Sequence, residues 1–194
     1  MEALAVAALA VLTGTSDSVH AVASLDELAE AIDLSHVSHH AAKFDAADLA
    51  ILSARTLHNL PFEAVSERLA ALGVTGDRAE AFWLAVRGNL TTLGDAREWA
   101  QVCFGQDLAA MEAPAHEDAE FLAAAAKLLP EEPFGAETWR GWTESLKAKT
   151  GRKGKLLFHP LRLALTGREK GPELAALLPL IGRAKALARL GASA

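Results

Sequence analysis

The cations between Thr150 and Leu190 are spaced for holding an anion rather than for making or breaking a bond; the stretch reads TGRKGKLLFHPLRLALTGREKGPELAALLPLIGRAKALARL. Arg152, Lys153 and Lys155 fall within four residues, with Gly151 before them and Gly154 among them. Glycines let a backbone pass close to a phosphodiester, and three cations neutralise it. Pro160 is read as opening a helix, whose unpaired N–H groups would meet the same anion. The plain alternative is a solvated basic loop. Arg162 differs, because it stands among Leu161, Leu163 and Leu165 on an apolar ridge, where a charge needs a partner. Within the chain, that partner is an acid such as Glu169 or Glu173.

Charge is spread unevenly along the chain. From Arg140 to Ala194 twelve Lys and Arg face three acids, Glu144, Glu169 and Glu173, a net +9. Residues 1–139 carry −15, so the overall −6 conceals two electrostatic halves. A basic end of this kind points to a nucleic-acid or membrane partner. The acidic run Glu112 to Glu120, with Glu131 and Glu132, reads as solvated surface that keeps an anionic partner to the basic side.

Elsewhere the chemistry-bearing residues favour plain readings. No nucleophile–base pair can be assembled. Cys103, the sole cysteine, follows Val102 and reads as a buried structural thiol, in keeping with a reducing cytosol. His36, His39 and His40 lack a nearby Cys and the spacing of a four-ligand zinc site, so they read as a solvated turn. His58 and His159 are isolated and structural. Trp83, Trp99, Trp139 and Trp142 offer faces for unpaired bases, but the preferred reading of all four is core.

These residues must be carried by helices, since apolar spacing follows the helical period and no alternating stretch argues for a strand. At 194 residues the chain can bury roughly 70% of its unfolded surface, and 51% hydrophobic with 23% charged residues marks a globular protein. Ala3 to Leu12 is a first helix; it is too short to span a bilayer and, after Glu2, wrongly charged for a signal peptide. Ser24 and Glu27 form a capping box for a helix through about Ile32, and Asp45 caps another to Asn59. Pro61 starts a helix through Leu72, stopped by Gly73. Further helices are expected near 77–87, 94–103, 117–129, 136–149, 160–166, 173–180 and 182–190. Gly105 to Pro114 and Pro130 to Gly135 are connections. The fold class is all-α.

The order of these motifs resembles a known family. Gly151 to Lys155, Pro160 to Gly167, Gly171 to Leu174 and Ile181 to Leu190 are similar to the carboxy-terminal end of bacterial glutamyl-tRNA synthetases. Gly14-Thr15-Ser16-Asp17, Val37-Ser38, Ala42 to Asp45, Leu57-His58 and Pro61-Phe62 resemble the segment following that family's catalytic domain. No H-x-G-H or K-M-S-K-like string, which in the family hold ATP, occurs here, nor any phosphate-loop or dinucleotide fingerprint. The chain looks like the non-catalytic half of the enzyme, whether excised, truncated or encoded alone.

The resemblance implies two small helical bundles of the class I anticodon-binding type, preceded by the helical end of a stem-contact region. Residues 1–60 would be that end, 61–114 a first anticodon-binding subdomain and 115–194 a second, basic one. It implies tRNA as partner, the glutamate and also the glutamine acceptor, with a catalytic domain in cis or in trans, and a monomer in the cytoplasm. ATP and Mg²⁺ would belong only to the catalytic domain, so no cofactor or metal is expected here. Arg152, Lys153, Lys155, Arg162, Arg168, Lys170 and Gly171 would face the anticodon loop. An arginine that reads the third anticodon base in discriminating family members falls, in the preferred register, on Asn89, with Arg87 two residues earlier. The competing expectation is a stand-alone helical interaction protein that kept only the module's packing; twelve bases against three acids in the tail argue against it.

Overall fold

The computed structural model describes residues 1–13, 18–30, 45–106, 108 and 114–191. Among them the regular structure is wholly helical, in two compact units. The first unit comprises Met1–Thr75 with Arg87–Ala96, and the second Gly76–Val86 with Arg97–Ala194.

In the first unit α1 (Ala3–Leu12) packs on α2 (Leu25–Glu30) and α3 (Ala46–Asn59). α1 is apolar on nearly every face, yet only Ala5, Ala8, Leu9 and Leu12 are buried, against Val22, Leu28, Leu49 and Leu52. The predicted caps are present. Ser24 Oγ accepts from Glu27 N–H at 3.0 Å, while the Glu27 carboxylate reaches one residue further back than a standard box, to Ala23 N–H at 2.6 Å. Asp45 Oδ1 accepts from Ala47 N–H at 2.8 Å. Ile32, the expected end of α2, and Gly14 lie outside the described residues.

The helix expected from Pro61 to Leu72 is broken. A 3-10 turn at Phe62–Ala64 precedes a short α4 (Ser66–Ala70), because fully buried Val65 leaves the helical region at φ −121°, ψ −7°. The first unit also holds 3-10 turns at Arg87–Asn89 and Leu93–Asp95.

The second unit runs α5 (Ala79–Val86), α6 (Ala96–Phe104, all but its first residue), α7 (Ala119–Leu128), α8 (Thr138–Thr150), α9 (Lys155–Thr166), α10 (Leu174–Ile181) and α11 (Arg183–Arg189). α10 is the hub, packing on α5, α8 and α11. Phe82, Trp83, Trp142, Leu146, Leu161, Leu165, Leu177 and Leu178 are among its most deeply buried side chains. One boundary needs correcting. Pro160 does not open α9; the helix begins five residues earlier at Lys155, and Pro160 lies inside it.

The first unit is tied at its start by an ion pair. Glu2 Oε1 and Oε2 each accept from one Arg68 Nη at 2.8 Å, and Glu2 N–H donates to Ser53 Oγ at 2.8 Å. The hydrogen bonds from Arg68 outweigh burial and hold the Glu2 carboxyl below the usual carboxylate range. A depressed carboxyl pKa stabilises the fold above the unfolded group's pKa and loses that contribution as pH falls through the folded value. With Arg68 44% exposed, the pair is worth about 1 kcal/mol. Glu2→Gln is therefore expected to destabilise the first unit near neutral pH and to flatten its stability loss on acidification below about pH 4.5. All four tryptophans lie in the second unit, so hydrogen exchange of α1 and α3 amides is the appropriate readout. Equal acid slopes in the two proteins would contradict this account.

Candidate nucleic-acid interface

The basic tract is built at the α8–α9 junction. α8 ends at Thr150 with Gly151 in the left-handed region, its N–H donating to Lys147 O at 2.9 Å. Gly154, at φ +54° and ψ −133°, turns the chain into α9, a conformation that side chains rarely adopt. Arg152, between them, does not project freely. It pairs with Asp118, lies 4.6 Å over the Phe121 ring and donates to Leu156 O at 3.3 Å. The neighbouring Lys153 and Lys155 are exposed and, among the described residues, make no hydrogen bond or ion pair.

An aromatic surface adjoins these lysines. Leu156 is 70% and Phe158 43% exposed, although both sit in an otherwise well-packed helix. Phe158 stacks on Trp139 with centroids 6.3 Å apart and planes at 28°, and Trp139 meets buried Trp142 edge-on at 5.5 Å. Trp83, Trp99 and Trp142 are core, as expected; Trp139 is only half-buried. Sequence reasoning passes over Leu156 and Phe158. Two large apolar residues directly after a cationic tract, on either side of Leu157, are the signal that could have found them.

Arg162 satisfies neither expected acid. Its Nη2 donates to Pro172 O at 3.0 Å, while buried Nη1 has no hydrogen-bond partner among the described residues. Burial pulls its pKa down, and the nearby Glu173 charge pulls it back up. Glu169 instead approaches His159 at 3.4 Å. Arg168 pairs with Glu98 at 3.1 Å and stands 5.9 Å above Trp99; Lys170 is exposed. Gly171, at φ +144°, sits against the same indole, where a Cβ would stand 2.1 Å from Trp99 Cη2.

Further along, α11 cations close the end of α6. Lys185 Nζ donates to Phe104 O at 2.8 Å, and Arg189 bridges Val102 O and Leu165 O, both at 2.8 Å. Arg183 pairs with Glu131 and donates to Pro130 O. Of the twelve tail cations, Arg152, Arg162, Arg168, Arg183, Lys185 and Arg189 are thus engaged internally, and Arg140 and Lys147 sit in exposed pairs with Glu137 and Glu144. Four lysines, 149, 153, 155 and 170, keep exposed charge without a partner among the described residues, so the tail's free field is narrower than its +9.

The first unit holds the remaining candidates. Arg87 Nη1 donates to Leu60 O at 3.1 Å at the end of α3, and His58 Nε2 donates to Leu90 O at 2.7 Å. Asn89 is exposed, with no hydrogen bond among the described residues. In the second unit Cys103 is buried, and burial pushes its thiol up to about 12 despite Arg189, Lys185 and Arg78 nearby. It is a structural thiol. His36, His39 and His40 lie outside the described residues. Among those described, no group of three or more His, Cys, Asp or Glu is placed to hold a metal, and no helix is long and apolar enough to cross a membrane.

Gly171→Ala should lower the thermal midpoint and perturb tryptophan emission, since the methyl must displace Trp99 in a strained backbone, at about 1–3 kcal/mol. Exposed Lys170→Ala is expected to leave the midpoint unchanged. Equal melting of the two variants would remove the packing role assigned to Gly171.

Comparison with known proteins agrees with this architecture. The family described as "Anticodon binding domain" matches residues 62–194. Glutamate--tRNA ligase 2 of Beijerinckia indica is 60% identical over 189 residues, covering 97% of this chain and 41% of the relative. The corresponding ligase of Methylorubrum populi is 53% identical with the same coverage. The chain therefore spans about two-fifths of the length of these relatives. The solved structure of a glutamate tRNA ligase from Elizabethkingia meningosepticum superposes with a TM-score of 0.78 at 20% identity, covering 97% of this chain and 40% of that one. With a matching family over most of its length and that helical fold, the chain belongs to the anticodon-binding-domain family and corresponds to the C-terminal stem-contact and anticodon-binding region of bacterial glutamyl-tRNA synthetase.

Proposed function

We propose that this chain recognises the anticodon arm of tRNA in the cytoplasm, as the non-catalytic part of a glutamate–tRNA ligase. The observation that carries the reading is the α8–α9 junction, where Lys153 and Lys155, without a partner among the described residues, stand beside exposed Leu156 and the Phe158–Trp139 stack. Charges that meet phosphates beside faces that meet unstacked bases are what a single-stranded RNA loop requires. Arg162 adds a buried Nη1 in need of an acceptor. In this reading residues 1–60 are the end of the stem-contact region, 61–114 the first anticodon-binding subdomain and 115–194 the second. The chain acts as a monomer and discriminates rather than makes bonds. Glutamate attachment, with its ATP and Mg²⁺, belongs to a catalytic part joined in cis or supplied in trans.

Affinity for tRNA should fall steeply with salt. With about four to six phosphates neutralised, the slope of log affinity against log salt is about −3 to −5. Replacing Lys153 and Lys155 by Ala should make it shallower, while the chain given ATP, glutamate and tRNA yields only background aminoacylation. A salt-independent interaction would favour the protein-interaction alternative.

Third-base reading falls to Asn89 rather than Arg87, because Arg87 is committed to Leu60 O. An amide lacks the five-donor fork of arginine, so about 1–3 kcal/mol of discrimination is forgone. Glutamate and glutamine tRNAs are expected to compete about equally, with Asn89→Arg restoring a preference. A tenfold glutamate preference in the unaltered chain, abolished by Arg87→Ala, would assign the role to Arg87.

A further inference from the structure

Asp118 closes the 3-10 turn His116–Asp118 that leads into α7, far from the basic tract in sequence. Its side chain is 14% exposed and pairs with Arg152 Nη1. That same nitrogen donates to Leu156 O, and the guanidinium covers the Phe121 ring. Leu156 O has a reason to need a donor. Within a helix it would accept from the N–H four residues on, but that residue is Pro160, which has none. One side chain therefore joins the turn before α7, α7 itself and the first turn of α9. The segment 151–155 is anchored through its second residue, and Lys153 and Lys155 flank Gly154 on that anchored segment.

We propose that Asp118 is a positioning residue for RNA: by fixing Arg152 it holds the Gly151–Lys155 loop so that Lys153 and Lys155 meet neighbouring phosphates of a single-stranded RNA loop. The proposal rests on the RNA-binding reading above, and its physics gives a sign that simple electrostatics does not. A carboxylate near a phosphate site repels the ligand, so neutralising it should tighten binding if charge alone matters. If Asp118 positions, neutralising it frees the loop, and the lysines no longer reach their phosphates together. Each single-strand phosphate that goes unneutralised flattens the salt slope by about 0.7, which at about 0.1 M salt is about fivefold in affinity.

The test measures binding of an RNA anticodon stem-loop to the full chain by anisotropy across a salt series, with circular dichroism confirming the fold. Asp118→Asn is expected to bind about 5- to 25-fold more weakly, with a slope shallower by about 0.7 to 1.4. Asp118→Glu should recover most of the loss. Glu117→Gln, the same charge change at the exposed neighbouring residue, should bind as tightly as the unaltered chain or slightly tighter. Arg152→Lys keeps the net charge and loses the fork, so it too should weaken binding; it keeps the question open to test should Asp118→Asn not fold. If Asp118→Asn stays folded and binds more tightly, in step with Glu117→Gln, and Arg152→Lys binds normally, the positioning role is overturned while the RNA reading stands. If the unaltered chain fails to bind the stem-loop, or Lys153→Ala with Lys155→Ala changes nothing, both fall together.

Discussion

Short helices set the governing constraint on the second unit. Each α-helix leaves its last four carbonyls without an internal donor, and in helices of 7 to 13 residues that is a large fraction of the backbone. Where such ends are buried, water cannot supply the missing hydrogen, and an unmet acceptor costs about as much as several good contacts gain. The chain meets the requirement with long side chains from other helices. Arg189 and Lys185 serve the end of α6, Arg189 also serves Leu165 O near the end of α9, and Trp142 Nε1 donates to Ala125 O near the end of α7. The internal proline of α9 creates the same demand in that helix's first turn, and Arg152 answers it at Leu156 O. The packing of the basic half is thus inseparable from its cations.

This explains what can and cannot be read from the residues in order. Local devices are legible: the Ser24 and Asp45 caps act over two or three residues, so their chemistry lies within a short window. The all-helical class follows from periodicity over many turns. The start of α9 is not legible, because a proline is an ordinary helix opener by local rules. Its toleration inside α9 depends on a donor contributed by a loop and on the positive-φ Gly154 that turns the chain into the helix. The break at Val65 is hidden for a similar reason, since the buried position of one side chain outweighs a helical pattern on either side of it.

The candidate site shows the same division. Composition locates the basic tract, and the glycines within it make turns as their spacing implies. The partners of Arg152, Arg162 and Arg168 are beyond reach of sequence, since Asp118, Pro172 O and Glu98 come together only in the folded unit. An acidic run reads as solvated surface, yet Asp118 within it is mostly buried against Arg152. Phe158 escapes notice because apolar residues in a helix are usually core, whereas its exposure and its stacking on half-buried Trp139 set it apart in the fold.

What remains for a ligand is decided by the chemistry of the two cations. Arginine presents a rigid fork that serves two acceptors at once, as Arg189 does with carbonyls from α6 and α9, and as Arg183 does with Pro130 O and Glu131. Lysine is a strongly hydrated point charge on a flexible stem, poorly suited to bridging fixed carbonyls and well suited to following a phosphate backbone. With Lys185 and the exposed Arg140 as the exceptions, the interior of the basic half takes the arginines and leaves the lysines outside. Counting charges along the sequence therefore overstates the field offered to an anionic ligand. The effective field is what survives after the helix ends and the Asp118, Glu98 and Glu131 carboxylates have been served, and it gathers on Lys149, Lys153, Lys155 and Lys170. An anion approaching this unit meets flexible lysines mounted on an arginine-braced frame, so its orientation derives from the frame and its attraction from the lysines.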